Sequence, residues 1–251
     1  MINLLICGIG GKMGQNVLSL AESDGEINAV CGVDLHAPEN CKVPVYGRFA
    51  LVKEKVDVIV DFSSPAVLRD ELEWAKKNGV PAVLAATGYT AEQLEYIGEC
   101  AKKVAVFRTA NFSLGVNLLV KLVREAAETL GESFDIEIIE KHHNQKVDAP
   151  SGTALMLADG ANSAFGGRKQ YLNGREGQVG KRGKEIGIHA VRGGTIVGEH
   201  DVMFAGEDEI ITLSHSARSK KVFAAGALKA AKWVAGKPAG KYDMTDVLHG
   251  V

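Results

Sequence analysis

The chain is poor in the features that mark several protein classes. It has 6 prolines and no G-X-Y repeat, which excludes collagen. Its 4 cysteines, Cys7, Cys31, Cys41 and Cys100, form no CxxC pair and no zinc-ribbon spacing. Cys7 and Cys31 sit in apolar, strand-like runs, where cysteine acts as a small buried hydrophobe, so reduced thiols in a reducing compartment are expected. No run approaches the roughly 20 apolar residues of a membrane span. The apolar N-terminal stretch is too short for a signal peptide, and its lysine follows that stretch rather than preceding it. A cytoplasmic protein without a membrane partner is expected. Twenty-nine basic against 31 acidic side chains give a net charge of −2, so no basic field exists to hold a nucleic acid. Repeats and low-complexity linkers are absent as well.

What is abundant is glycine, 29 residues against roughly 18 at a ~7% background. Apolar content of 46% and charged content of 24% describe an ordinary globular chain, long enough for one large or two modest domains. Short apolar runs at Ile2–Cys7, Ile27–Val33, Val56–Asp61, Val80–Ala85 and Val104–Val106 alternate with helical spacing, as at Lys12–Ala21 and Ala91–Lys102. That rhythm predicts an α/β fold with a Rossmann-type doubly wound parallel sheet. After about residue 112 the rhythm changes. A long helix over Val116–Leu130 leads to a strand over Asp135–Lys141, a motif-rich loop and a helix from about Gly152. Residues 166–206 then hold 11 of the glycines, between alternating runs at Glu185–Val191 and Thr195–Phe204. With Ile210–His215, these predict a second α+β domain on a mostly antiparallel open sheet. The helical spacing of Val222–Ala235 would return to cover the first domain.

Gly8, Gly11 and Gly14 lie where the first strand meets the first helix, in the spacing GxxGxxG rather than the commoner GxGxxG. Such glycines permit a sharp turn, close approach of backbone to a pyrophosphate, and tight helix–strand packing. The helix N-terminus then faces the diphosphate. Lys12 is followed by Met13, which excludes a Walker loop. Asp34, about 20 residues on at the end of the second strand, suits the adenosine ribose hydroxyls and would repel a 2′-phosphate. No arginine follows it to clamp one, so NADH is favoured, with NADPH possible through Lys12 or His36.

The segment Glu140–Ala154 (EKHHNQKVDAPSGTA) concentrates the chemistry. Adjacent histidines of an extended chain point to opposite sides and no chelating spacing is present, so no metal is expected. One imidazole facing a cleft would serve as general acid. Ser151, Gly152 and Thr153 open a helix whose hydroxyls and amides suit a small carboxylate, with Lys146 adding positive charge.

The chain resembles the 4-hydroxy-tetrahydrodipicolinate reductase (dihydrodipicolinate reductase) family. The resemblance rests on GIGGKMG at Gly8–Gly14, VDFSSP at Val60–Pro65, ATGY at Ala86–Tyr89 and ANFSLGVN at Ala110–Asn117. Further matches are EKHHNQKVDAPSGTA at Glu140–Ala154, HAVRGGTIVGEHDVMF at His189–Phe204 and FAAGA at Phe223–Ala227. It implies a dinucleotide-binding domain of residues 1–112 plus 222–251, and a substrate-binding and oligomerisation domain of residues 113–221 that forms a homotetramer. It implies His142 as proton donor with Lys146 as catalytic companion, and His143, Ser151, Gly152 and Thr153 as binders of the substrate carboxylates. Gly8, Gly11, Lys12, Met13, Gly14, Asp34, Phe62, Ser63, Ala86, Thr87, Gly88, Ala110, Asn111, Phe112 and Lys220 are the implied cofactor contacts. Two positions depart from the family pattern. Ala85-Ala-Thr-Gly88 replaces Gly-Thr-Thr-Gly, and Lys220 stands where an arginine is frequent, turning a bidentate clamp into a point charge.

The implied reaction is NAD(P)H-dependent reduction of a small dicarboxylate cyclic imine to tetrahydrodipicolinate, in diaminopimelate and lysine biosynthesis. Two rivals are another Rossmann-fold reductase of an amino-acid precursor and a non-catalytic NADH-sensing protein. Residues 112–221 contain no cysteine nucleophile, which counts against a thioester-forming reductase. A sensor would have little use for a His-His-x-x-Lys cluster beside an anion-binding helix start.

Overall fold

The computed structural model describes residues 1–250. They divide into two compact units, Met1–Ser113 with the segment from Lys221 onward, and Leu114–Lys220.

The first unit begins with β1 (Ile2–Cys7), α1 (Lys12–Glu22), β2 (Ile27–Val33), β3 (Val45–Tyr46), β4 (Val58–Asp61), α2 (Leu68–Asn78), β5 (Ala82–Leu84), α3 (Ala91–Ala101) and β6 (Ala105–Arg108). The second unit holds α4 (Leu114–Leu130), β7 (Asp135–His142), α5 (Gly152–Ser163), β8 (Tyr171–Asn173), β9 (Ile186–Arg192), β10 (Glu199–Ala205) and β11 (Ile210–Ser216). The chain then rejoins the first unit through α6 (Lys221–Val234), β12 (Gly240–Tyr242) and α7 (Met244–His249).

Seven parallel strands in the order β12-β6-β5-β4-β1-β2-β3 form the first sheet, a Rossmann-type arrangement. All four residues of β4 and the last four of β1 are buried, as a parallel sheet covered on both faces requires. The order reverses between β1 and β4, so the loops after their carboxyl ends diverge at the switch point where such sheets take ligands. The short edge strands β3 and β12 carry too few residues to show a period, and the sequence pattern does not reveal them.

The second sheet runs β11-β10-β7-β9-β8. Its expected antiparallel character holds for one half. The pairs β10–β11 and β10–β7 are antiparallel, whereas β7–β9 and β8–β9 are parallel. α5 carries the chain from β7 to β8 in one direction, and residues 174–185 then return it so that β9 runs parallel to both. Thr195–Gly198, read as the start of a strand, is turn and loop, and β10 begins at Glu199. Ile136, Ile138, Ile186, Ile188, Val202 and Phe204 face inward and pack with Ala154, Leu157, Ala158 and Ala161 of α5 and Leu119, Val123 and Ala127 of α4. No helix among the described residues is long and apolar enough to cross a membrane.

Candidate active site

In the first unit, all but one of the expected cofactor contacts follow the carboxyl ends of successive parallel strands. Gly8–Gly14 follow β1, Asp34 follows β2, Phe62 and Ser63 follow β4, Ala86–Gly88 follow β5, and Ala110–Phe112 follow β6. The exception is Lys220, exposed as the last residue of the second unit.

Three of the four glycines of the first loop have an identifiable reason. Gly8 has φ +78°, and a Cβ there would lie 2.8 Å from the Ser63 amide nitrogen. At Gly14 a Cβ would overlap the Gly8 carbonyl oxygen and lie 2.7 Å from Ile9 Cα, so the helix packs onto the turn backbone to backbone. Gly10, not among the expected contacts, donates its N–H to Asp34 Oδ2 at 2.9 Å, and a Cβ would meet that oxygen at 3.0 Å. The glycine pair Gly10-Gly11 is the signal that would have found it. Asp34 Oδ1 accepts from the His36 N–H at 3.0 Å, which fixes the carboxylate beside the loop. The start of α1 has no side-chain cap and no acidic residue in its first turn, leaving its amides open to an anion. A glycine cradle, an uncapped helix start and an acceptor at Asp34 fit a dinucleotide. Phe62 and Phe112 stack tilted with centroids 6.1 Å apart.

In the second unit, sheet register assembles the candidate chemistry. On β7 the buried face carries Ile136, Ile138 and then Glu140, with no exposed surface left on the glutamate. His142, two residues on, shares that face. Glu140 lies opposite His200 of β10, and His142 opposite Arg192 of β9. Glu140 Oε2 is 2.7 Å from His142 Nδ1, and the Arg192 guanidinium binds the carboxylate through both nitrogens at 2.7 and 2.8 Å. The Ser151 N–H donates to Oε1 at 2.9 Å. Burial alone would raise the Glu140 carboxyl, but Arg192, His142 and the Ser151 amide outweigh it and hold it below the usual carboxylate range.

A carboxylate only accepts, so His142 carries hydrogen on Nδ1, which leaves Nε2 as the nitrogen for proton transfer. Gly198 packs beside that nitrogen, where a Cβ would lie 3.1 Å from Nε2. His200 Nε2 is 2.9 Å from Ser151 Oγ, and the two imidazoles meet edge to face at 5.2 Å. Burial, then the charge of His142, lowers His200 to about 4. Ser151 caps α5 by accepting from the Ala154 N–H at 3.1 Å, and Gly152 and Thr153 form its first turn. His143 lies just past β7, half-buried.

Lys146 is not free. Its Nζ contacts both oxygens of Asp148 at 2.8 Å, and the lysine holds that carboxyl below its ordinary range. Glu140, Arg192 and His200 are the side chains of this cluster that the motifs leave without a role. Glu140 was visible as a charged residue in register with two inward isoleucines.

Two family descriptions match the chain: "Dihydrodipicolinate reductase, N-terminus" over residues 2–112 and "Dihydrodipicolinate reductase, C-terminus" over residues 115–248. A 4-hydroxy-tetrahydrodipicolinate reductase of Caldanaerobacter subterraneus subsp. tengcongensis is 50% identical over 249 residues, covering 99% of this chain and 98% of the relative. The enzyme of the same name from Clostridium tetani is 43% identical over 249 residues, with the same two coverages. Among solved structures, the dipicolinate-bound dihydrodipicolinate reductase from Paenisporosarcina sp. TG-14 superposes with a TM-score of 0.81 at 28% identity, covering 97% of each chain.

Proposed function

The chain belongs to the dihydrodipicolinate reductase family, and from that premise we propose a nicotinamide-dependent 4-hydroxy-tetrahydrodipicolinate reductase in which His142 is the general acid. The observation that carries the role of His142 is its Nδ1 contact with buried Glu140 at 2.7 Å.

Hydride chemistry is what the nicotinamide supplies when bound, held by the Gly8–Gly14 loop, Asp34, Phe62, Ser63, Ala86–Gly88 and Ala110–Phe112. The chain's own residues bind, orient and protonate. Reduction of the conjugated imine leaves electron density on the substrate, and His142 Nε2 delivers the proton that quenches it. Glu140 fixes the ring, and its negative charge complements the imidazolium. The amides and hydroxyls at Ser151, Gly152 and Thr153, with His143 nearby, receive the substrate carboxylates. Lys146 exchanges its Asp148 partner for a substrate carboxylate and stabilises the developing charge.

His142→Gln keeps a group able to reach Glu140 but has no titratable nitrogen. Its kcat should fall about 10²–10⁴-fold with NADH affinity intact. Unchanged turnover would end the assignment.

Asp34 supports NADH as the preferred cofactor, since a 2′-phosphate would meet its carboxylate at close range. Steady-state kinetics with both cofactors should give the higher kcat/KM for NADH, and Asp34→Ser should narrow the gap. A large NADPH preference in the native protein would overturn this reading. A homotetramer built through the second sheet is part of the same proposal, supported by the exposed Ile210, Ile211 and Val191 on its strands. Free Cys7, Cys31 and Cys100, all buried, are consistent with the cytoplasmic setting proposed.

A further inference from the structure

Beneath the glycine loop lies a group of buried acids that the reductase reading does not use. Asp61 ends β4 and Glu71 sits in the first turn of α2, and neither has any exposed surface. The potential donor atoms of Cys7, Asp61 and Glu71 all lie within 4.8 Å of one another. Asp61 Oδ1 accepts two hydrogen bonds from Ser63, one from its N–H at 2.7 Å and one from its hydroxyl at 2.5 Å. Among the described residues, its other oxygen, Oδ2, has no partner at ordinary hydrogen-bond geometry, and neither does either oxygen of Glu71 or the buried Tyr89 hydroxyl, although all of these groups face one another. Facing this pocket are the Cys7 thiol from β1, Tyr89 from the loop after β5, and Arg108 from β6, whose guanidinium lies 5.6 Å from the Tyr89 ring centroid. Among the described residues, no cation forms an ion pair with either carboxyl group.

Two carboxylates this close and this dry do not both ionise. A proton between one Glu71 oxygen and Asp61 Oδ2 gives a partner to two of these three carboxyl oxygens at once. Burial, then the Asp61 charge, drives Glu71 well above the usual carboxylate range, and burial also raises Asp61 against the pull of Ser63. Burial, then both acids, pushes the Cys7 thiol up too, so it stays protonated.

The pair matters because of what Asp61 holds. The Phe62–Ser63 turn presses on Gly8 so closely that a Cβ there would lie 2.8 Å from the Ser63 nitrogen and 2.9 Å from the Phe62 carbonyl carbon. We propose that Asp61 and Glu71 share one proton, with Glu71 as the neutral donor, and that this pair positions the Phe62–Ser63 turn against the glycine loop for the dinucleotide. Glu71 is thus a positioning residue, acting on the cofactor through Asp61 and Ser63. The positioning role rests on the cofactor reading of that loop, whereas the shared proton does not.

The test compares wild type, Glu71→Gln and Glu71→Leu. Glutamine retains a donor toward Asp61, and leucine removes it. The expected pattern is an NADH KM within about twofold of wild type for Glu71→Gln and raised about tenfold or more for Glu71→Leu, the ratio that one lost charge-assisted hydrogen bond produces. Saturating kcat should move much less than KM. Infrared spectra of the wild type should show a protonated carboxylic C=O band persisting well above the ordinary carboxylate range, and Glu71→Gln should abolish it. A wild-type spectrum without that band, a Glu71→Gln KM as high as that of Glu71→Leu, or a folded Glu71→Leu with normal KM would each overturn the proposal. So would zinc titrating the band away stoichiometrically, which would assign the cluster to a cation instead. Should Glu71→Leu fail to fold, the infrared band and the glutamine rescue still decide. Wild type unable to bind NADH would overturn the positioning role and the loop reading together, with the band still reporting the pair.

Discussion

A single inward-facing charge organises the second unit's site. Glu140 occupies a position where β7 otherwise buries isoleucine, and removing a buried carboxylate from water is costly unless its oxygens are satisfied. Arg192, His142 and the Ser151 amide satisfy them, so one residue sets the direction of His142 and the entry to α5 together. His200 is the other buried titratable group here, and its effect on stability has a definite sign. Its folded value of about 4 lies below the ordinary 6.5, so the unfolded chain binds the extra proton first. The stability this neutral histidine contributes is complete above the unfolded value and is lost as pH falls from about 6.5 toward about 4. The size is on the order of 3 kcal/mol. Urea unfolding of wild type and His200→Asn across that window should show the wild type losing stability faster by about that amount. Parallel curves would show that His200 does not titrate this way.

Packing at the first turn decides how tightly the elements of the nucleotide-binding unit can close. Gly14 lets α1 rest on the Gly8 carbonyl and Ile9 Cα, both backbone, so nothing flexible is available to yield. Gly14→Ala should therefore cost about 1–3 kcal/mol of stability and raise the KM for NADH, whereas Gly25→Ala, in open space, should do neither. Thermal unfolding and cofactor kinetics on the two variants check this. The same interlock explains what the sequence revealed. Strands buried on both faces appear as apolar runs, and β1, β4 and β5 were legible for that reason, as was the buried end of β2. Gly8, Gly11 and Gly14 were legible because a turn between such a strand and a helix has few other uses for glycine. Less visible were β3 and β12, at two and three residues, and the parallel pairing of β9 with β7, which depends on the route of a crossover rather than on alternation. His142 and Lys146 stood out by motif, but the partners that orient or neutralise them are set by register and loop conformation. Arg192 is 50 positions from His142 in sequence and its direct neighbour across the ladder.

At the scale of the whole molecule, the chain order makes one unit discontinuous and the other continuous. The first unit needs its last segment, because α6 buries Ala224, Gly226, Ala227, Leu228, Ala230, Ala231 and Val234, and β12 pairs with β6 along three residues. Gly226 fits only because it has no Cβ, which would fall on the Phe112 carbonyl oxygen. Leu228 and Val234 alone represent about 3–6 kcal/mol of burial, comparable with the 5–15 kcal/mol that stabilises a typical domain. A fragment ending at Ser113 would also expose the inner side of the sheet and leave β6 as an unpaired edge. The second unit, by contrast, has a continuous chain, its own five-stranded sheet and its own apolar cluster under α4 and α5. Excised residues 114–220 should therefore unfold cooperatively in urea with native-like circular dichroism, while residues 1–113 should remain unfolded until supplied with 221–251. A folded 1–113 fragment would mean that α6 covers the sheet without being required for it, and its buried residues would then contribute far less than their burial indicates.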